Sequence, residues 1–198
     1  VIFILFWVVG VKKRIHIFGA SGSGTTTLAR TLSESFDLPH FDTDNYFWQQ
    51  TDPPFQFIRE KSERKELLRQ VLTENESWVL SGSLCGWGDF TIPMFDYVVF
   101  LWLPQEVRMQ RLKQREIKRN GPGIIKPKHP RHKQHLEFLE WAAAYDTGGL
   151  EMRSKSSHEK WIKDLPYCVL RIEGDHTIQE NIEIVLGHIV SNDNPKMS

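Results

Sequence analysis

The sequence predicts an α/β fold in which helices cover both faces of a parallel sheet. Three observations predict it. Short apolar runs bounded by turn residues alternate with helical periodicities along the chain. The first run, Ile15-His16-Ile17-Phe18, passes into a glycine-rich segment, Gly19-Ala20-Ser21-Gly22-Ser23-Gly24-Thr25-Thr26-Thr27, which opens a helix. The run Tyr97 to Leu103, YVVFLWL, is apolar throughout, as a strand covered on both faces must be. Such alternation implies parallel strands joined by helical crossovers, with ligands bound outside the carboxyl ends of the strands.

Each element has its own signal. Thr25 to Phe36 reads as a helix, with Leu28 and Leu32 one turn apart. Pro39 to Asp42 reads as a short second strand, and Pro53-Pro54 breaks the chain. Arg59 to Glu74 is a charged amphipathic helix carrying Leu67, Leu68, Val71 and Leu72. Trp78 to Leu80 is a third strand ending in Ser81-Gly82-Ser83, and Tyr97 to Leu103 is the fourth. An arginine-rich helix follows from about Gln105 to Arg119, then a Pro/Gly/Lys-rich loop to Pro130. Further helices are expected near His135 to Tyr145 and Ser157 to Leu165. Cys168 to Ile172 is a fifth strand, and Thr177 to Val190 a last helix.

The 198 residues fit one compact domain, and 40% apolar content excludes a disordered chain. Lys plus Arg and Asp plus Glu are both 25, so the zero net charge argues against a whole-surface polyanion binder. Two distant cysteines, Cys85 and Cys168, exclude a disulfide scaffold and fit a reducing cytoplasm, the expected location. Residues 1 to 10 begin with VIFILFWVV, an apolar run too short for a spanning helix, and positive charges follow it instead of preceding it. They are expected to be an extension ahead of a single domain over residues 11 to 198. A weak membrane-surface anchor and an extra packing segment stay open as alternatives, and no transmembrane segment is expected.

The glycine-rich segment carries the most specific chemistry. Gly19 and Gly24 have the spacing of a phosphate-binding G-x-x-x-x-G-K-[ST] loop, and Thr26 stands at its hydroxyl position. Glycines let successive backbone N–H groups turn inward around an anion, and the helix opening at Thr25 adds the positive end of its dipole. Gly19, Gly22, Ser23, Gly24, Thr25 and Thr26 are therefore the candidate phosphate contacts, with the Thr26 hydroxyl placed for magnesium. One position departs: Thr25 stands where the lysine belongs, so a full positive charge beside the phosphates is missing. A dinucleotide-binding loop and a ligand-free structural turn are the competing readings. After the second strand, Asp42 and Asp44 are two residues apart and face one way on an extended segment. Asp42 is expected to support the metal, and Asp44 to accept a proton from an attacking hydroxyl or to contact the acceptor.

With these motifs the sequence resembles the small P-loop kinases that phosphorylate metabolites or nucleotides, the adenylate, shikimate and gluconate kinase group. It is also similar to a branch described only as adenylate kinase-related. Gly19 to Leu28 resembles their phosphate loop and first helix, and Phe41-Asp42-Thr43-Asp44 resembles a shikimate-kinase D-x-D. Phe57-Ile58-Arg59 with Glu63 resembles the arginine-bearing helix that holds the acceptor, and Ser81-Gly82-Ser83 the turn lining its pocket. The likeness implies a three-layer P-loop NTPase sandwich with strand order 2-3-1-4-5 and a helical lid, here about residues 105 to 160. It also implies ATP and magnesium as cofactors, a small-molecule or nucleotide acceptor, and Asp42, Arg59 and Gly82 as acceptor contacts.

Residues 105 to 135 hold ten Lys or Arg against two acids, Glu106 and Glu116. Arg108, Arg111, Arg115 and Arg119 fall within about an 80° arc of one helix face. The resemblance implies that lid arginines stabilise the transferring phosphoryl group, so Arg111 and Arg115 are the expected catalytic cations and partial substitutes for the lysine. A solvated charged helix and an RNA-binding patch remain alternatives, as does a catalytically weak nucleotide-binding switch; nucleic acid is the less expected partner. His129, His132 and His135 are three apart, but Pro130 interrupts the helix that would align them as metal ligands. Trp48, Trp87 and Trp141 are read as packing residues before base-stacking ones. Asp89 is a weaker candidate for the acceptor.

Overall fold

The computed structural model describes residues 13–193, so the apolar extension expected over residues 1 to 10 lies outside the described residues. Five strands form one sheet: β1 (Arg14–Gly19), β2 (His40–Asp42), β3 (Trp78–Ser81), β4 (Tyr97–Trp102) and β5 (Val169–Glu173). Every pairing is parallel and the order is β2-β3-β1-β4-β5, as expected. The helices are α1 (Thr25–Phe36), α2 (Asp44–Phe47), α3 (Lys61–Glu74), α4 (Gln105–Asn120), α5 (His132–Ala143), α6 (Lys155–Lys163) and α7 (Ile178–Asp193).

Strand alternation divides the core. Ile15, Ile17, Val79, Val99 and Leu101 point to the face covered by α1 and α7, where Leu28, Leu32, Val185 and Ile189 meet them. Phe18, Leu80, Val98 and Phe100 point to the opposite face, against Leu68 and Leu72 of α3 and Trp161 of α6. A third, smaller cluster of Leu112, Leu139 and Ala142 joins α4 to α5, apart from the two clusters on the sheet. No helix among the described residues is long and apolar enough to cross a membrane.

Two boundaries differ from the sequence reading in ways that matter for the site. The amphipathic helix expected from Arg59 begins at Lys61, because the Glu60 carboxylate accepts hydrogen bonds from the Ser62 and Glu63 N–H groups and caps it. Arg59 therefore precedes the helix. The second strand stops at Asp42, and Thr43 already has helical backbone angles as the cap of α2. Asp42 and Asp44 are thus not alternate residues of one strand, which was the premise for aligning them. The short α2 and the 3-10 turn over Asp89–Met94 have no apolar periodicity that a sequence reading could detect.

Candidate functional site

The central position of β1 puts the glycine loop at the carboxyl edge of the sheet, between the ends of β3 and β4. Gly19 is the last residue of β1, paired with Leu101. The chain then turns through Ser23, whose N–H donates to the Ala20 carbonyl at 3.1 Å. Gly22 and Gly24 have φ of 84° and 97°, the left-handed region that excludes most side chains. Gly24 caps α1, and Thr25 is the first residue of the helix. The Ser23 hydroxyl is buried without a hydrogen-bond partner, an orphaned donor in the loop that an anion would satisfy. These features fit a phosphate tail.

Asp42 is the hub of the polar contacts beside the loop. Its Oδ2 accepts the Thr26 hydroxyl at 3.0 Å and the Ser81 hydroxyl at 3.1 Å. The β2–β3 register places Ser81 directly opposite Asp42, which explains the second contact. His40 Nε2 lies 2.9 Å from the same Ser81 oxygen. A hydroxyl on the first turn of α1 and a carboxylate at the end of β2 thus face each other, a pair of hard oxygen donors suited to magnesium.

Asp44 comes to the site by a turn and not by strand alternation. Its backbone N–H donates to Asp42 Oδ1 at 3.0 Å, which folds the α2 entrance back onto β2. Burial raises the Asp44 carboxyl above the ordinary carboxylate range. The charges of Arg153, Arg115 and Arg119 oppose that rise, and Asp42 adds to it. A mostly buried carboxylate within electrostatic reach of three guanidinium groups can hold a proton or release it as the charge nearby changes.

The arginines divide by partner. Arg108 is fully buried and ties the start of α4 to the end of α5: it donates to the Leu103 and Ala142 carbonyls, pairs with Asp146 and lies over the Tyr145 ring. Helical spacing grouped it with Arg111, Arg115 and Arg119, but its side chain belongs to the core. Arg111 pairs with Asp175 at 2.6 Å beyond β5, and its Nη1 would lie 3.8 Å from a Cβ on Gly24, so it sits beside the glycine loop. Arg115 lies over Phe138, with its Nε buried and lacking a hydrogen-bond partner. Its burial, with Arg119 in the same direction, loosens its hold on its proton, against the pull of Glu116 and Asp44.

Arg153 was not singled out in the sequence. It stands alone in Leu150-Glu151-Met152-Arg153-Ser154, outside the basic run and without helical spacing to another arginine. Folding brings it over the Trp141 ring, where its charge reaches Asp44, Cys85 and His158. Among the described residues no hydrogen bond or ion pair holds its guanidinium.

The remaining candidates have packing partners. Arg59 donates to the Tyr46 and Trp48 carbonyls and pairs with Glu63 at 2.6 Å, which ties the α2 exit to α3. Gly82, at φ 106°, gives up the space of a side chain to Thr43, whose hydroxyl a Cβ there would strike. Asp89 accepts the Trp161 indole N–H at 2.9 Å. Trp87 is buried, Trp48 packs on Phe47, and Trp141 carries Arg153.

Comparison with known proteins places this geometry in a family. The AAA domain family matches residues 15–123. The chain is 47% identical over 182 residues to "Uncharacterized protein YqaC" of Bacillus subtilis (strain 168), covering 92% of this chain and all of that one. It is 25% identical over 181 residues to a cytidylate kinase of Thermococcus sibiricus (strain DSM 12597 / MM 739), covering 82% and 88% of the two chains. A solved shikimate kinase from Acinetobacter baumannii in complex with shikimate shares the fold, with a TM-score of 0.56, 18% identity and 95% and 97% coverage. The chain therefore belongs to the AAA domain family and has the fold of the small P-loop kinases.

Proposed function

We propose that the protein is an ATP- and magnesium-dependent phosphotransferase that passes the γ-phosphoryl group to a small acceptor carrying an anionic group. The Thr26–Asp42 hydrogen bond carries this reading, because it joins the glycine loop to an acidic strand end where a metal-bound phosphate tail would lie. The amides from Gly19 to Thr26 and the Ser23 hydroxyl bind the phosphates. Thr26 and Asp42 hold the magnesium ion, which offsets phosphate charge when bound. Asp44 receives the acceptor hydroxyl proton as that oxygen bonds to the γ-phosphorus. The bond from that phosphorus to the bridging oxygen breaks, and ADP leaves. Arg111 and Arg115 stabilise the charge on the phosphoryl oxygens in place of the lysine. Arg153, with Arg119, supports an anionic acceptor, since its charge reaches Asp44 while, among the described residues, no hydrogen bond or ion pair holds its guanidinium.

The test is ADP formation by purified protein with ATP and magnesium in the presence of cytidine monophosphate, shikimate or gluconate. Acceptor-dependent ADP release that is lost in Asp44→Asn supports the reading. Tight MgATP binding with no acceptor-dependent release favours the second reading, a nucleotide-binding switch, to which Thr25 at the lysine position gives specific support.

A further inference from the structure

A chain of polar side chains runs from the glycine loop to the edge strand of the sheet, and its outer half has no role in the chemistry above. Strand register places its members. Asp42 lies opposite Ser81 and His40 opposite Val79 across β2 and β3, so His40, Asp42 and Ser81 share the face that α1 covers. Thr26, in the first turn of α1, joins them there. Thr26 Oγ1 is 3.0 Å from Asp42 Oδ2, and Ser81 Oγ is 3.1 Å from the same oxygen. His40 Nε2 is 2.9 Å from Ser81 Oγ. In the sequence the outer member shows only as the alternate residue before Asp42 on a short strand.

Counting hydrogens fixes the direction of every bond in this chain. An ionised carboxylate only accepts, so Thr26 and Ser81 both donate to Asp42. Ser81 is fully buried, and its hydroxyl has a single hydrogen. With that hydrogen on Asp42, the Ser81 oxygen can only accept at its contact with His40. The His40 Nε2 therefore carries a proton and donates it. A bare Nε2 would force a choice between two faults. Either two lone pairs meet at 2.9 Å, or the Ser81 hydrogen turns to the ring and its oxygen lone pair faces the Asp42 carboxylate at 3.1 Å. Donation to the charged oxygen is the stronger bond, so the ring takes the tautomer that permits it. Every buried atom of the chain is then satisfied, with Asp42 Oδ1 accepting the Asp44 N–H at 3.0 Å.

We propose that His40 is a positioning residue for the candidate metal site: by donating to Ser81 it commits the Ser81 hydrogen to Asp42 and so holds the carboxylate against the Thr26 hydroxyl. The proposal rests on the phosphotransferase reading for its metal and on the hydrogen-bond geometry for its mechanism. His40 acts through Ser81, and its own contact with Asp42 is only electrostatic. Asp42, drawn by two hydroxyl groups and one backbone N–H, is held from three sides before a ligand enters.

Two measurements test it, and neither uses an acceptor. The first is 15N–1H correlation on ligand-free, 15N-histidine-labelled protein at about pH 8, where an ordinary imidazole is neutral, with His40→Gln assigning the signals. A protonated Nε2 is expected, its proton slow to exchange and therefore visible, and Ser81→Ala should remove that protection. A bare Nε2, or an Nε2 proton unchanged by Ser81→Ala, overturns the proposal. The second is calorimetric titration of ATP with and without magnesium. The gain in affinity that magnesium brings should fall about fivefold in His40→Leu, as for one lost hydrogen bond, and about tenfold in Ser81→Ala, which touches Asp42 directly. Affinity without magnesium should stay within about twofold. His40→Gln, whose side-chain amide replaces the Nε2 donor, should restore the gain to within about twofold. An unchanged gain in His40→Leu, an equal loss with and without magnesium, or a His40→Gln protein as weak as His40→Leu overturns the proposal and leaves the phosphotransferase reading standing. No magnesium effect in the unmutated protein overturns the metal assignment and the role of His40 with it. Failure of every acceptor to release ADP overturns only the phosphotransferase reading.

Discussion

The Thr26 hydroxyl donates to Asp42 Oδ2 at 3.0 Å, joining the first turn of α1 to the end of β2 across the mouth of the glycine loop. The same carboxylate oxygen accepts from Ser81, so the negative charge is oriented before any ligand arrives. Asp42→Asn keeps the shape but loses the charge and replaces one oxygen with a donor. Magnesium-dependent ATP binding should weaken by about 10–100-fold, the usual effect of altering a group that orients a metal site. Calorimetric titration with and without magnesium checks this, and equal affinity in both proteins would sink the metal assignment.

Thr25 begins α1 beside amides that point at the proposed phosphate site, and it brings no charge of its own. Thr25→Lys adds an ammonium at a position that already follows Gly24 in its left-handed turn. Affinity for MgATP should tighten by about tenfold, consistent with one charge-assisted hydrogen bond. Unchanged or weaker binding by a folded variant means that Arg111, held beside Gly24 by Asp175, already fills that role.

The centre of the sheet was legible in the sequence because β1, β3 and β4 are short apolar runs ended by glycine, serine or proline, and burial on both faces demands that pattern. The glycine loop was legible because its spacing is local. Less of the remaining site could be read. The sequence singled out Asp42 and Asp44, but their approach comes from a backbone turn at Thr43 and not from a strand. The charge of Arg153 reaches Asp44 only through the return of the chain after α5, a long-range approach with no local pattern. Arg108 shows the opposite failure. Helical spacing described the arginine face of α4 correctly, yet spacing cannot tell which turn of that face is covered by Asp146 and Tyr145.

Arg108 and Arg115 share a helix, and substitution should separate their roles. Arg108→Met strands Asp146 and the Leu103 and Ala142 carbonyls, which should destabilise the fold by about 3–5 kcal/mol, as breaking a buried pair does. Arg115→Met leaves the apolar contact with Phe138 and should change stability by about 0.5 kcal/mol or less. Turnover with a competent acceptor should instead fall by about a hundredfold or more. Denaturant unfolding with steady-state kinetics on both variants decides the matter, and full activity in Arg115→Met removes it from the phosphate clamp.

Acid should unfold the protein through two buried histidines. His16, in the centre of β1, is stacked between Phe18 and Phe95, and neither ring nitrogen makes a hydrogen bond of good geometry. Burial lowers its pKa to about 3, with the nearby Leu80 backbone pulling weakly the other way. His158 is lowered to about 3 by burial, with Arg153 and His16 adding to the effect. Both rings are neutral in the folded protein but bind protons in the unfolded chain below the ordinary imidazole value of 6.5. Their contribution to stability is therefore complete above that value and is lost as pH falls toward 3. Each histidine adds a slope of about 1.4 kcal/mol per pH unit in that window. His16→Leu removes one of the two rings and the unsatisfied nitrogens, so its stability should fall about half as steeply between pH 6 and 4. Parallel urea-unfolding curves for the two proteins across that range would show that His16 is not held neutral by its burial.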